Sequence, residues 1–171
     1  MDTVMDYKGY QDTDLIPDLQ GWKDLNGEDF EIEDWLLGFH STPELTIAYT
    51  SVFCPDFEEY NGGLFFKDEY NRHTMQDNIE KHHNGDFLDY QSFTNFREVA
   101  YFMCSSAEDV LMPKQVEFMG KLLERIWGYQ LKAEFPHLNP QVKYCGLEVN
   151  PLEDANVTFW AEPKDIDKMQ C

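Results

Sequence analysis

Between positions 113 and 135 the apolar residues Val116, Met119, Leu122, Leu123, Ile126, Trp127 and Leu131 recur at three- and four-residue spacings. One face of a helix with 3.6 residues per turn carries all of them, so the segment predicts a long amphipathic helix. Pro113 suits the first turn, where its missing N–H is not needed, and Pro136 blocks continuation.

Shorter runs surround it. Residues 45–53, Leu-Thr-Ile-Ala-Tyr-Thr-Ser-Val-Phe, are rich in β-branched and aromatic side chains and predict a buried strand closed by Pro55. An acidic, aromatic loop over 56–63 leads to a second short strand, Leu64-Phe65-Phe66, and the two runs predict a hairpin. Residues 142–149 and 156–160 predict another hairpin. Weaker patterns predict helices over 28–37, anchored by Phe30, Trp35 and Leu36, over 74–83, stopped by Asn84-Gly85, and over 96–104, with Phe96, Val99, Ala100 and Met103 on one face. The order implies an α+β class: an antiparallel sheet from two hairpins, helices packed on one face, and one long amphipathic helix in the C-terminal half. Residues 1–20 read as an irregular acidic arm and residues 21–171 as a single domain.

Composition adds that the chain can hold a core, since 42% of the 171 residues are hydrophobic and 15% aromatic. The four cysteines, Cys54, Cys104, Cys145 and Cys171, form no C-x-x-C pair and read as reduced thiols, with Cys54 and Cys104 expected to be buried and inert. The start shows no basic region followed by an apolar run, and no apolar stretch reaches membrane-spanning length, so the expectation is cytoplasmic.

Charge changes the picture most. Against 33 acids stand 13 lysines and arginines, a formal net of −20. Nucleic acid and anionic membranes are repelled by such a field, whereas a basic protein is attracted and steered. Residues 1–112 hold 24 acids and 6 bases, while 113–145 are net +2, so the acidity is concentrated. It is interleaved with the aromatics Tyr7, Tyr10, Trp22, Phe30, Phe57, Tyr60, Tyr70 and Tyr90, a combination suited to protein interfaces. The residues expected to meet a partner are Trp22, Asp24, Glu28, Asp29, Glu31, Glu33, Asp34, Asp56, Glu58, Glu59, Tyr60, Asp68 and Glu69.

Catalytic signals are thin. No serine lies in a G-x-S-x-G frame, and no phosphate-binding glycine loop or other cofactor motif occurs. Glu80, His82 and His83 are the one metal-like cluster, but adjacent histidines point about 100° apart on a helix, so both could join one site only where the helix frays. The leading expectation is therefore a binding protein without catalytic residues or cofactor. An immunity-type inhibitor would cap the basic active site or nucleic-acid groove of a partner such as a nuclease toxin. The alternatives are a nucleic-acid mimic that blocks restriction or CRISPR complexes, and a metal-dependent enzyme using Glu80, His82 and His83.

Overall fold

A computed structural model describes residues 12–27, 29–40, 42–67, 69–103, 111–146 and 155–162. The chain divides into two compact units, Met1–Tyr49 and Thr50–Cys171.

In the first unit the described backbone is helical. Helices α1 (Asp12–Leu15) and α2 (Asp18–Asn26) replace the irregular backbone expected before position 20, and α3 (Ile32–Trp35) runs into a π-turn over Leu36–His40. Pro17 ends one helix and starts the next: it has no N–H to leave unpaired where α2 begins. Leu19 is the buried anchor.

Helix α4 (Pro43–Phe53) overturns the strand expected over 45–53. The Thr42 hydroxyl accepts the Leu45 N–H at 3.2 Å, Pro43 stands at the first helical position and Glu44 follows it. That N-terminal chemistry prevails over the β-branched composition.

In the second unit, β1 (Phe57–Tyr60) and β2 (Gly63–Phe66) pair antiparallel, from Phe57 opposite Phe66 to Tyr60 opposite Gly63. This is the first hairpin, displaced toward the C-terminus from its expected place and far tighter. Its turn is Asn61-Gly62, both at positive φ (52° and 77°), as a two-residue type I′ turn requires. Helices α5 (Met75–His82) and α6 (Phe87–Thr94) follow. Asp86 caps α6 by accepting the N–H groups of Leu88 and Asp89. The helix expected over 96–104 is instead β3 (Arg97–Glu98) and a 3₁₀ turn (Ala100–Phe102), because Val99 is drawn into the core with its N–H on the Ala155 carbonyl; Cys104 lies outside the described residues. The long helix is α7 (Pro113–Glu134), starting at the expected proline. Strands β4 (Pro140–Cys145) and β5 (Asn156–Ala161) form the second hairpin, in a sheet ordered β3-β5-β4. The outer edge of β4 is blunted: Pro140 offers no N–H, and the Glu124 carboxylate takes that of Tyr144 at 3.0 Å.

Successive residues of a strand face opposite sides, and β2 uses this to serve two cores. Leu64 and Phe66 join the main core with Phe57, Leu123, Trp127, Leu131 and Phe159, under α7 and against β5. Phe65 faces the other way, into a smaller cluster with Tyr70, Met75, Ile79 and Tyr90. In the main core the Trp127 indole meets Phe57, Phe66 and Phe159 edge-on at 5.3–6.4 Å between centroids, and its Nε1 donates to the Val52 carbonyl at 3.0 Å.

The two sheets are joined by side-chain amides. Gln91 on α6 and Asn95, which caps its C-terminal end one turn on, are fully buried. Gln91 Oε1 accepts the N–H groups of Leu64 and Ala161, both at 3.0 Å. Asn95 Nδ2 donates to the carbonyls of Leu64 (2.7 Å) and Phe159 (3.0 Å). An amide has the polarity of a peptide group, so these side chains fill the gap between β2 and β5 as pieces of a missing strand. A Cβ on Gly63 would stand 2.6 Å from the Phe87 ring and 3.0 Å from the Gln91 amide, which leaves only glycine at that position.

Candidate functional site

Positions 12–35 set exposed acids on three helices and on the segment between α2 and α3. Asp12, Asp14, Asp18, Asp24, Asp29, Glu31, Glu33 and Asp34 are all exposed, and Lys23 is the only lysine or arginine between positions 12 and 49. Trp22 is half-buried and stacks on Phe30 with centroids 6.2 Å apart and planes 19° from parallel, which ties α2 to the segment before α3. Asp24 accepts from Gln20 Nε2, and Asp34 takes the Glu31 N–H at 3.0 Å, closing the N-terminus of α3. Glu28 lies outside the described residues. The structure adds Leu25 and Leu37, each about four-fifths exposed, beside these acids. Asp18, Gly21 and Leu25 lie on one solvent-facing stripe of α2, a juxtaposition that an irregular reading of this segment hides.

The acids of the second unit are used differently. Glu58 pairs with Arg72 at 2.5 Å, Glu59 with His137 at 2.7 Å, and Glu69 with Arg97; Asp56 stands 4.0 Å from Lys67, and Asp68 lies outside the described residues. Arg72 also sits over the rings of Tyr60 and Tyr70 and donates to the Tyr70 hydroxyl, while Arg97 lies on the Phe66 ring. These carboxylates brace β1 and its neighbours. Phe57, Tyr70 and Tyr90, read from the sequence as interface aromatics, are core residues: Phe57 faces inward from β1 and Tyr90 from α6, and Tyr70, in the loop after β2, stacks on the buried Phe65 at 4.3 Å.

Burial, opposed by the hydrogen bond from Arg72, raises the Tyr70 phenol above its usual range. Its neutral form is thus favoured in the folded state. The stability this contributes is complete below the ordinary tyrosine value near 10 and is lost as pH rises toward the raised one. In a phenolate absorbance titration, the Tyr70 component is expected to ionise late, and Tyr70→Phe to remove that component alone.

Glu80, His82 and His83 do not converge. Glu80 is exposed and accepts from Gln76, whereas His83, just past the end of α5, turns inward and places Nδ1 2.7 Å from Asp89. Among the described residues no three His, Cys, Asp or Glu side chains gather as a metal would need. Cys54 is exposed, not buried as expected, because it follows α4 at the surface; Cys54 and Cys145 are both free thiols. Among the described residues no helix is long and apolar enough to cross a membrane. Comparison of the chain with protein-family models, curated proteins and solved structures finds no match.

Proposed function

We propose that this protein binds a basic protein partner through the acidic helices of its first unit, and acts by covering that partner's surface. One contrast supports this reading. The first unit carries 12 acids and two bases on 49 residues, net −10, whereas the remainder carries 21 acids and 11 bases, also net −10. Half the excess charge therefore sits on less than a third of the chain. Among the described residues Asp12, Asp18, Asp24, Asp29 and Glu33 meet no basic side chain, while Glu58, Glu59 and Glu69 already do. Exposed carboxylates without a local counter-charge steer a cationic partner and fix its register, and exposed leucines beside them supply area for the contact. An immunity-type inhibitor that caps the basic groove of a nuclease is the function this surface suits best. The contact residues are then centred on Asp18–Asp34 and not on β1.

The triple variant Asp24→Asn/Asp29→Asn/Glu33→Gln leaves the cap of α3 intact. With the basic protein that the chain captures at low salt, it is expected to lower the association rate on the order of tenfold and to flatten its salt dependence. Glu58→Gln/Glu59→Gln should leave the association rate near wild type. An unchanged rate in the triple variant would refute this surface, and a partner whose own activity survives saturation would refute inhibition.

A further inference from the structure

The second unit holds a cleft of about 730 Å³ between α5, α6 and the segments at Glu69–Asn71 and Phe96–Arg97, which the partner surface does not use. Its floor includes His83 and Tyr90, both more than nine-tenths buried, with rings edge-to-face at 5.4 Å. Nδ1 of His83 lies 2.7 Å from the Asp89 carboxylate. A carboxylate only accepts, so Nδ1 carries the hydrogen and, in the neutral imidazole, Nε2 carries the lone pair. Among the described residues neither Nε2 nor the Tyr90 hydroxyl has a hydrogen-bond partner, and neither belongs to the polar atoms sealed inside the fold. With the imidazole neutral, the cleft presents one acceptor and one hydroxyl from its floor. Its rim is aromatic: Phe93, 72% exposed, packs on the His83 ring at 5.3 Å, and Phe96 is 40% exposed.

We infer that this cleft binds a small heteroaromatic amine, with a donor N–H on His83 Nε2 and the ring against Phe93. The aromatic rim selects a planar ring. The lone pair on Nε2 selects a donor. Electrostatics select against an anion: Glu69 matches the charge of Arg97, the arginine in the lining, and leaves the Asp89 carboxylate in excess. The Asp89 contact pre-orients the imidazole, so no ring rotation is needed on binding.

The test is an NMR titration of the histidine ring signals of the full chain with tryptamine, which has an indole N–H and an ammonium. A saturable shift of the His83 signals is expected, with a Kd on the order of 1 mM for a ligand of about a dozen heavy atoms. Phe93→Ala, at an exposed position, is expected to weaken it about fivefold while the protein stays folded. Indole-3-acetate, the same ring with a carboxylate, is expected to bind at least about tenfold more weakly. Absence of a saturable His83 shift, an unchanged affinity in Phe93→Ala, or equal affinity for the two indoles would overturn the assignment. Binding of a basic protein through the first unit is read separately, so either result stands without the other.

Discussion

Trp127→Ala is expected to cost about 3–5 kcal/mol in chemical denaturation. The indole is 1% exposed and touches Phe57, Phe66 and Phe159, so its removal opens a cavity at the junction of α7, β2 and β5. Those aromatic rings are held by strands and cannot collapse into the space, which places the cost toward the upper end. The Val52 carbonyl also loses its donor, and with it the tie between the end of α4 and α7. Trp127→Phe separates the two contributions. Much of the ring volume is retained and the hydrogen bond is lost, so a smaller cost, including about 1 kcal/mol for that bond, is expected. Equal losses in the two variants would mean that the hydrogen bond, and not the ring packing, dominates.

The second large effect lies at Gln91 and Asn95. Gln91→Leu strands the N–H groups of Leu64 and Ala161 in a buried site, at roughly 1–3 kcal/mol each. The charged variants should differ in an informative way. Gln91 works through its oxygen and Asn95 through its nitrogen; the Gln91 Nε2 and Asn95 Oδ1 are sealed without a partner. Gln91→Glu therefore keeps the atom that matters. Asn95→Asp replaces a donor to two carbonyls with an oxygen that faces them. Urea denaturation is expected to rank Asn95→Asp as the more destabilising. The loss in Gln91→Glu should shrink as pH falls, because a protonated carboxyl still offers an accepting oxygen without a buried charge. The reverse ranking would mean that the two amides are turned over relative to the bonds described.

Legibility tracked how local each signal is. Helix α7 was readable because its stripe and both prolines lie within one segment. The β4–β5 pairing was readable from two apolar runs. At α4, composition and capping chemistry disagreed; Thr42-Pro43-Glu44 carried the better information, since a cap acts on the backbone whereas β-branched content only fits a half-buried surface. The same holds at Asn61-Gly62, a hairpin signal inside what composition alone reads as loop. The apolar pattern does not predict helix α6 although Asp86 announces it, because the key residues Gln91 and Asn95 are polar and break the apolar stripe. They are buried for the bonds they make with strands 27 to 70 positions away. The exposed acids were legible in number but not in kind. Nothing local distinguishes Glu33, which meets solvent, from Glu59, whose partner His137 lies 78 positions on.

The opposed faces of β2 carry a consequence for how the hairpin finds its alignment. Both cores accept a phenylalanine, so a slide by one position that moves Phe65 to the Leu64 place and Phe66 to the Phe65 place keeps an apolar side chain at both, and is penalised in hydrophobicity only where Lys67 would replace Phe66 in the main core. The other discriminating positions carry no large side chain. A shifted strand would drive Leu64 into the slot where Phe87 and Gln91 tolerate only Gly63, and would pull Asn61-Gly62 off the tip of the loop. Two glycines and an asparagine thus proofread an assembly step that the aromatic residues power.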